Sequence, residues 1–370
     1  MIEFSGCGKE NYNLIIENKK NLEKFLARVT DKNQLRDKTS ESLEQTISEF
    51  GNYSKAISKV VGSATDGLYF SLLCGEFKRG SYIGVTSYSF HASASCILRA
   101  GFVPVFIDVD EYGLMDLDKL ESVAKKLDGV ILVQLFGNTV NEKKFIKICK
   151  KFNIRFIEDA AQRHKYSKFL LGSSLSISSV LSFDPNKIFS GIGSGGAVVT
   201  KDNKIAQKID SLRYHGNRCK NKGYNSQLSE SSAWIIKKKI EKFDKWNQKR
   251  KDISVRYINT LRKFKTNIKT LVNKDNINFH SLHKFVIVFE SEKSRNYIET
   301  KLLEDKIKTM VHYRYILPEL PRFKKLKKLF DFSYSNHLSR HSLSLPIHPF
   351  LEKDEVLKIT QSLSYHLSRL

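Results

Sequence analysis

The chain has 370 residues, which fits two domains or one large α/β domain with a smaller appendage. Its 41% hydrophobic and 11% aromatic residues suffice for a sizeable core and exclude a disordered or fibrous protein. The longest apolar runs, such as residues 129–137, are too short to cross a bilayer, and the N-terminus does not resemble a signal peptide. Five scattered cysteines without a C-x-x-C pair indicate free thiols and no metal site, so we predict a cytoplasmic protein: Cys7, Cys74, Cys96, Cys149 and Cys219.

The net charge of +24 has two interpretations. Many lysines lie in segments such as residues 235–246 and 323–330, where they alternate with apolar residues at helical spacing. That pattern is typical of solvated helix faces. The alternative is a surface that binds a polyanion, although no usual nucleic-acid-binding signature is present. A positive field would also attract a nucleotide-linked substrate.

From about residue 40 to residue 200, predicted helices and strands alternate. Residues 55–77 predict a strand, a turn and a buried helix. The other predicted helices are 40–51, 91–101, 116–129 and 142–153, and the strands are 82–88, 103–110, 130–137, 154–159, 179–183 and 196–202. This rhythm predicts a mostly parallel sheet with helices on both faces.

After residue 200 the pattern changes to that of an α+β appendage. A helix over 203–213 and a polar stretch over 214–228 precede a long helical region over 229–264. A strand (283–290), a helix (294–306), a strand (307–313) and a helix (353–369) follow. We therefore predict a large domain over residues 1–245 and a smaller C-terminal domain over 246–370.

A glycine-rich run, Gly191 to Gly196, fits G-x-G-x-x-G. This motif marks a dinucleotide site when it follows a strand and opens a helix. Residues 196–202 predict a strand instead, so we reject a Rossmann site. Glycines here would let the backbone turn tightly and approach a bound group closely.

Asp159 ends an apolar strand, at the edge where open α/β sheets bind ligands. It could cap the next helix. It could also keep a pyridine nitrogen protonated, as pyridoxal phosphate enzymes require. Such enzymes need a later lysine that forms a Schiff base and transfers a proton, and Lys187 follows beyond the next strand.

Two further segments could complete such a site. Residues 62–73 place small and hydroxyl side chains at a strand-to-helix turn, which is either a capped helix or a phosphate site at the positive end of the helix dipole. Phe90 follows a strand and is either a core residue or a ring that stacks on a flat cofactor.

The order and spacing of these segments resemble the DegT/DnrJ/StrS family of pyridoxal phosphate-dependent nucleotide-sugar aminotransferases. SATDGL (63–68) resembles the family's phosphate loop SGTDAL, IEDAAQRH (157–164) resembles EDAAQAHG, and SFDPNK (182–187) resembles SFxPxK. Further similar segments are residues 86–110, GSGGAVVT (193–200), YHGN (214–217), GYNSQLSE (223–230), VHY (311–313) and SLPIHPFL (344–351). The resemblance covers roughly residues 40–370 and implies fold type I, a large mostly parallel α/β/α sandwich plus a smaller α+β domain.

The resemblance also implies a role for each matching residue. Lys187 would hold pyridoxal 5'-phosphate as a Schiff base, Asp159 would pair with its pyridinium nitrogen and Phe90 would stack on its ring. Gln162 would lie near the ring hydroxyl, and His312 and Tyr313 would face the substrate. The expected phosphate-binding residues are Ala64, Thr65, Ser182 and, in the other subunit's site, Asn225. That last role implies a homodimer with shared active sites.

The resemblance implies an aminotransferase that moves an amino group, with glutamate the expected donor, to a keto group of a nucleotide-linked deoxyhexose. A non-catalytic or regulatory relative with a polyanion-binding surface is the alternative, and the lysine argues against the family's dehydratase branch. Four residues depart from the family pattern: Gln227 replaces Arg, Ser194 an acid, Ala64 a glycine, and His91 a small apolar residue.

Overall fold

The computed structural model describes residues 1–30, 38–216, 223–264, 268–272, 280–326 and 328–370. Its main feature is a seven-stranded sheet with strand order β1-β7-β6-β5-β4-β2-β3. The strands are β1 (Ile57–Val61), β2 (Tyr82–Thr86), β3 (Val103–Ile107), β4 (Gly129–Val133), β5 (Arg155–Asp159), β6 (Ser176–Ser182) and β7 (Gly196–Thr200). Strands β3, β2, β4, β5 and β6 are parallel, and β7 is antiparallel to both of its neighbours. The prediction of a mostly parallel sheet is confirmed.

Helices cover this sheet and make up much of the remaining described chain. In chain order they are α1 (Cys7–Glu17), α2 (Lys19–Thr30), α3 (Lys38–Phe50), α4 (Ala64–Cys74), α5 (Ala92–Arg99), α6 (Leu117–Val123), α7 (Glu142–Phe152), α8 (Lys168–Gly172), α9 (Asn203–Arg213), α10 (Glu230–Glu241), α11 (Phe243–Leu261), α12 (Glu292–Glu304), α13 (Ser333–His341) and α14 (Lys353–Leu367). Among the described helices, none is both long and apolar enough to cross a membrane.

Helix α4 packs on the sheet, and its N-terminus lies at the edge formed by the carboxyl ends of the parallel strands. It packs against β6 and β7, and seven of its eleven residues are buried while none is exposed, as expected for a helix without a polar face. Gly67 allows close contact, because a Cβ there would lie 2.9 Å from Val180 Cγ1. This packing fixes the N-terminus of α4 at the carboxyl ends of the parallel strands.

A second, smaller sheet lies in the C-terminal part of the chain. Strands β8 (Lys269–Thr270), β9 (Phe285–Val288) and β10 (Ser342–Leu345) are antiparallel in the order β10-β9-β8. Their apolar side chains share a core with residues of α11, α12 and α14 and with Ile2 from the N-terminus. The domain boundary near residue 245 lies in the first turn of α11 and stays a prediction.

Several predicted elements differ in the structure. Residues 229–264 form two helices that are separated at Lys242. Residues 307–313 form no strand, because only the isolated bridges Ile2–Ile307 and Met310–Ser344 pair this segment. The described residues of 323–330 form turns rather than a lysine-rich helix. The described N-terminal helices α1 and α2, as well as α13 with β10, were not predicted at all.

The lysines of α10 show that charged residues here do more than cover a solvated face. Lys239 is fully buried, and its Nζ lies 3.1 Å from a Glu10 carboxylate oxygen and 2.6 Å from Ser190 Oγ. The prediction of a purely solvated lysine face on this helix is therefore wrong for Lys239. The four described cysteines are free thiols, as expected, and Cys219 lies outside the described residues.

Candidate active site

A cavity of about 540 Å³ lies at the carboxyl ends of β4, β5 and β6. Their last residues, Val133, Asp159 and Ser182, are part of its lining. The predicted site residues in this lining are Ala64, Thr65, Phe90, Asp159, Gln162, Ser182, Lys187, His312 and Tyr313. The fold thus brings together residues that are up to 249 positions apart (313 − 64).

Asp159 presents a buried carboxylate to this cavity. One oxygen accepts a hydrogen bond from Ser93 Oγ at 2.8 Å, and the other accepts one from the Ala161 amide at 3.1 Å. Burial raises the pKa of Asp159, while these two donors and the charge of Lys187 act in the opposite direction. The first interpretation of Asp159, as a helix cap, does not apply, because the next helix, α8, begins only at Lys168.

Lys187 lies on the connection between β6 and β7. Burial of its amine lowers the pKa of Lys187, and the carboxylates of Asp159 and Asp184 partly oppose this shift. A lowered pKa increases the fraction of neutral amine, which is the form that attacks a carbonyl carbon. The glycine-rich run ends in strand β7, so the rejection of a Rossmann site is confirmed.

The N-terminus of α4 forms a recess in the same wall, lined by Ser63, Ala64 and Thr65. Ser63 caps the helix by accepting a hydrogen bond from the Asp66 amide at 3.1 Å. Among the described residues, no acceptor pairs with the amides of Ala64 and Thr65. Gly196 packs directly against this turn, because a Cβ there would lie 2.6 Å from Ala64 N. These free amides and the helix dipole favour an anion.

Gln162 is held by three partners. Its Oε1 accepts from the Phe136 amide at 2.9 Å and lies 3.2 Å from His283 Nδ1, and its Nε2 donates to Tyr313 Oη at 3.0 Å. His283 Nε2 in turn lies 2.9 Å from the Asn186 carbonyl oxygen. This network fixes Gln162 close to Lys187, because Asn186 directly precedes Lys187 in the chain.

The aromatic and imidazole side chains complete the cavity wall. Phe90 is 45% exposed, so the interpretation as a core residue is wrong and its ring is available to a ligand. His312 Nδ1 lies 2.9 Å from Ser344 Oγ, and burial lowers the pKa of His312 to about 3. His312 is therefore a neutral hydrogen-bonding group at pH 7.

Asn225 is the predicted site residue that lies outside the cavity. It is exposed, and Gln227 Nε2 donates to its Oδ1 at 3.3 Å. The role across a subunit interface stays a prediction. Of the four departures from the family pattern, Ala64, His91 and Ser194 line the cavity. Asn217 of the YHGN segment lies outside the described residues.

A model of the DegT/DnrJ/EryC1/StrS aminotransferase family matches residues 16–364. The chain belongs to this family. Its members are aminotransferases, so the predictions of an aminotransferase and of a pyridoxal phosphate cofactor are confirmed. The match begins before the predicted start at residue 40, because it includes part of α1 and all of α2.

Similar proteins carry several names. The chain is 28% identical over 312 residues to a "Pleiotropic regulatory protein" of Geobacillus stearothermophilus, covering 82% of this chain and 83% of that protein. It is also 28% identical over 312 residues to the dTDP-3-amino-3,6-dideoxy-alpha-D-galactopyranose transaminase of Aneurinibacillus thermoaerophilus, covering 82% and 84%. The crystal structure of S. venezuelae DesV has a TM-score of 0.86 at 24% identity and covers 97% of this chain and 98% of DesV. This likeness confirms the predicted fold.

The aminotransferase cavity fits the family's cofactor. A carboxylate with a remaining lone pair, an amine with a lowered pKa and two free amides at a helix N-terminus suit a pyridine nitrogen, an aldehyde carbon and a phosphate, respectively. Three residues of this site were not predicted from the sequence: Ser93, which orients Asp159, and His283 and Lys284, which precede β9. Nothing in the chain order indicates that these segments meet.

Replacing Gly196 by alanine is expected to weaken binding of pyridoxal phosphate by about 5-fold to 150-fold. The new methyl group would displace the backbone of Ala64, and overpacking of this kind costs about 1–3 kcal/mol. Titration of the cofactor-free variant, followed by its absorption, measures this. Gly8→Ala is the matched control, because a Cβ at Gly8 meets no atom within 4 Å. Wild-type affinity in Gly196→Ala would contradict the recess as the phosphate site.

Proposed function

We propose that this aminotransferase moves an amino group from an amino acid, with glutamate the expected donor, to a keto group at C3 or C4 of a nucleotide-linked deoxyhexose. The observation that carries the proposal is the arrangement of Lys187 and Asp159 in one buried cavity beside the N-terminus of α4. A lysine, a ring-nitrogen partner and an anion site are the groups that transamination requires.

In this proposal, bound pyridoxal phosphate supplies an electron sink for the negative charge that develops at the donor's Cα. Lys187 Nζ takes the proton from that Cα and returns a proton when the second substrate is aminated. Asp159 holds a proton on the ring nitrogen, and Ser93 keeps its carboxylate in position. The amides of Ala64 and Thr65, with the Ser182 hydroxyl, hold the phosphate, and Phe90 covers the ring.

The acceptor class is proposed from two observations. A relative of similar length is named as the transaminase of a dTDP-linked amino sugar. The chain has a net charge of +24, and a positive field attracts a substrate that carries a diphosphate. His312 and Tyr313 would contact the sugar, because both line the cavity.

We also propose a homodimer in the cytoplasm, in which Asn225 contacts the cofactor phosphate of the partner subunit. Its exposure outside its own chain's cavity supports this role. Light scattering should give about twice the chain mass of 42.6 kDa. A monomer with full activity would contradict shared active sites.

A regulatory function without catalysis is the second candidate, favoured by the name of the Geobacillus relative and by the net charge. It predicts binding of nucleic acid whose affinity falls steeply with salt, and no amino transfer. The retained Lys187 and Asp159, both facing one cavity, favour catalysis instead.

The test is a panel of nucleotide-linked 3-keto and 4-keto sugars with glutamate, aspartate, glutamine and alanine as donors. Mass spectrometry of the products identifies both the acceptor and the donor. Formation of an amino sugar with one acceptor class supports the proposal. Donor conversion without transfer to any sugar of the panel would rule out the proposed acceptor class, and nucleic-acid binding without cofactor uptake would favour the regulatory candidate.

A further inference from the structure

Lys284 is a buried lysine that has no carboxylate partner among the described residues. It directly precedes β9 and is 8% exposed. Its Nζ lies 4.6 Å from the centroid of the Phe4 ring. Within the described ranges no carboxylate forms an ion pair with it, and the charges that act on it most are those of Lys187 and Arg250. A buried ammonium group without a partner is costly, so its retention suggests a role outside folding.

The position of Lys284 relative to Lys187 indicates what that role is. Both lysines line the active-site cavity, and both also border a small adjoining cavity of about 30 Å³. Glu10 is a carboxylate of this second cavity, but its oxygens already lie 3.1 Å from Lys239 Nζ and 3.5 Å from Arg250 Nη2. The space between the two lysines therefore has excess positive charge.

We propose that Lys284 binds the carboxylate of the amino-acid donor. This inference rests on the proposed function, because it requires a donor whose Cα reacts beside Lys187. The α-carboxylate is bonded to that Cα, so its binding group must lie next to Lys187, as Lys284 does. Asp159 and Asp184, the acidic side chains among the described lining residues, would repel a carboxylate on their side of the cavity. A carboxylate on an acidic sugar has the same chemistry and is distinguished by the test below.

Charge at Lys284 depends on pH in the physiological range. Burial, together with Lys187 and Arg250, lowers the pKa of Lys284 to about 7. In the free enzyme the ammonium form is present below that pH and is lost above it, so donor affinity should fall as pH rises from 7 to 9. The titratable and charged groups around Lys284 also include His283, His312, His348, Cys7, Glu10 and Arg250. Burial lowers the pKa of each of the three imidazoles, so they stay neutral from pH 7 to 9 and do not reverse the expected fall in donor affinity.

The test compares Lys284→Met and Lys284→Arg in the holoenzyme. Absorption spectroscopy follows the donor half-reaction and the sugar half-reaction separately, and calorimetry measures binding of the unreactive dicarboxylate glutarate. Lys284→Met removes a charge-assisted hydrogen bond, so it should bind the donor and glutarate about 10- to 100-fold more weakly than the wild type. Lys284→Arg should keep most of the affinity and lose the decline between pH 7 and 9, since Arg stays charged.

The remaining outcomes decide between this proposal and its alternatives. A structural role predicts a lower Tm for Lys284→Met, whereas removal of an unpaired buried charge should raise the Tm. Unchanged donor and glutarate affinity in Lys284→Met overturns the proposal, and so does weaker binding of an acidic sugar alone. Lys147→Met, at an exposed position of α7, is the matched control. If no sugar is aminated while glutamate still reacts with the wild type, the proposed acceptor fails, but the donor test remains decisive.

Discussion

Replacing Lys187 by alanine is expected to lower kcat for amino transfer by at least about 10⁴-fold. The amine is the proposed covalent partner of the cofactor and the group that takes the proton from the donor's Cα, and removing a group with both roles has effects of about this size. The visible absorption band of the lysine-bound cofactor should disappear as well. Single-turnover absorption measurements with glutamate would record both changes.

Lys187→Arg separates chemistry from charge. The guanidinium group keeps a positive charge near Asp159 and Asp184 but stays protonated, so it neither attacks a carbonyl carbon nor accepts a proton. We expect it to be as inactive as Lys187→Ala. A variant that retained both the absorption band and full transamination would show that another residue performs this chemistry. Lys284 would be the candidate, because it is the other lysine among the described residues of the cavity lining.

The sheet and the positions of its main chemical groups could be predicted because they depend on local signals. All five residues of β4 are buried, which matches an apolar run that is covered on both faces. Asp159 and Lys187 could be found because ligands bind at the carboxyl ends of parallel strands and because a known motif order surrounds both residues. In these segments the local sequence pattern and the tertiary fold favour the same structure.

Contacts between distant segments could not be predicted. The hydrogen bond from Ser93 to Asp159 joins α5 to β5, and the Gln162–Tyr313 bond joins the sheet edge to the C-terminal part. The solvated-lysine interpretation of α10 was wrong for Lys239 because Glu10, in a helix far along the chain, neutralises it. Within the described ranges, the fold likewise leaves Lys284 without a carboxylate partner, which the sequence does not indicate.

Replacing Asp159 by asparagine is the second change with a large expected effect. Breaking a buried charge pair costs about 3–5 kcal/mol, and each 1.36 kcal/mol of barrier is tenfold in rate, so we expect kcat to fall about 10²- to 10⁴-fold. The side-chain volume hardly changes, and an amide can still accept from Ser93 Oγ or the Ala161 amide. The loss would therefore report the missing negative charge of the carboxylate beside the ring nitrogen, and not a distorted cavity.

Two companion variants make the Asp159 result specific. Ser93→Ala removes one hydrogen bond to the carboxylate and leaves its charge, so kcat should fall by about 10-fold to 100-fold at most. Asp118→Asn makes the same chemical change at a side chain that is 81% exposed and should leave kcat unchanged. Steady-state kinetics at saturating donor and acceptor, with cofactor content measured for each variant, separates slower chemistry from cofactor loss. If Asp159→Asn kept more than about a third of the wild-type kcat with full cofactor content, the carboxylate would not be the partner of the ring nitrogen, because a lost pair of this kind cannot have so small an effect.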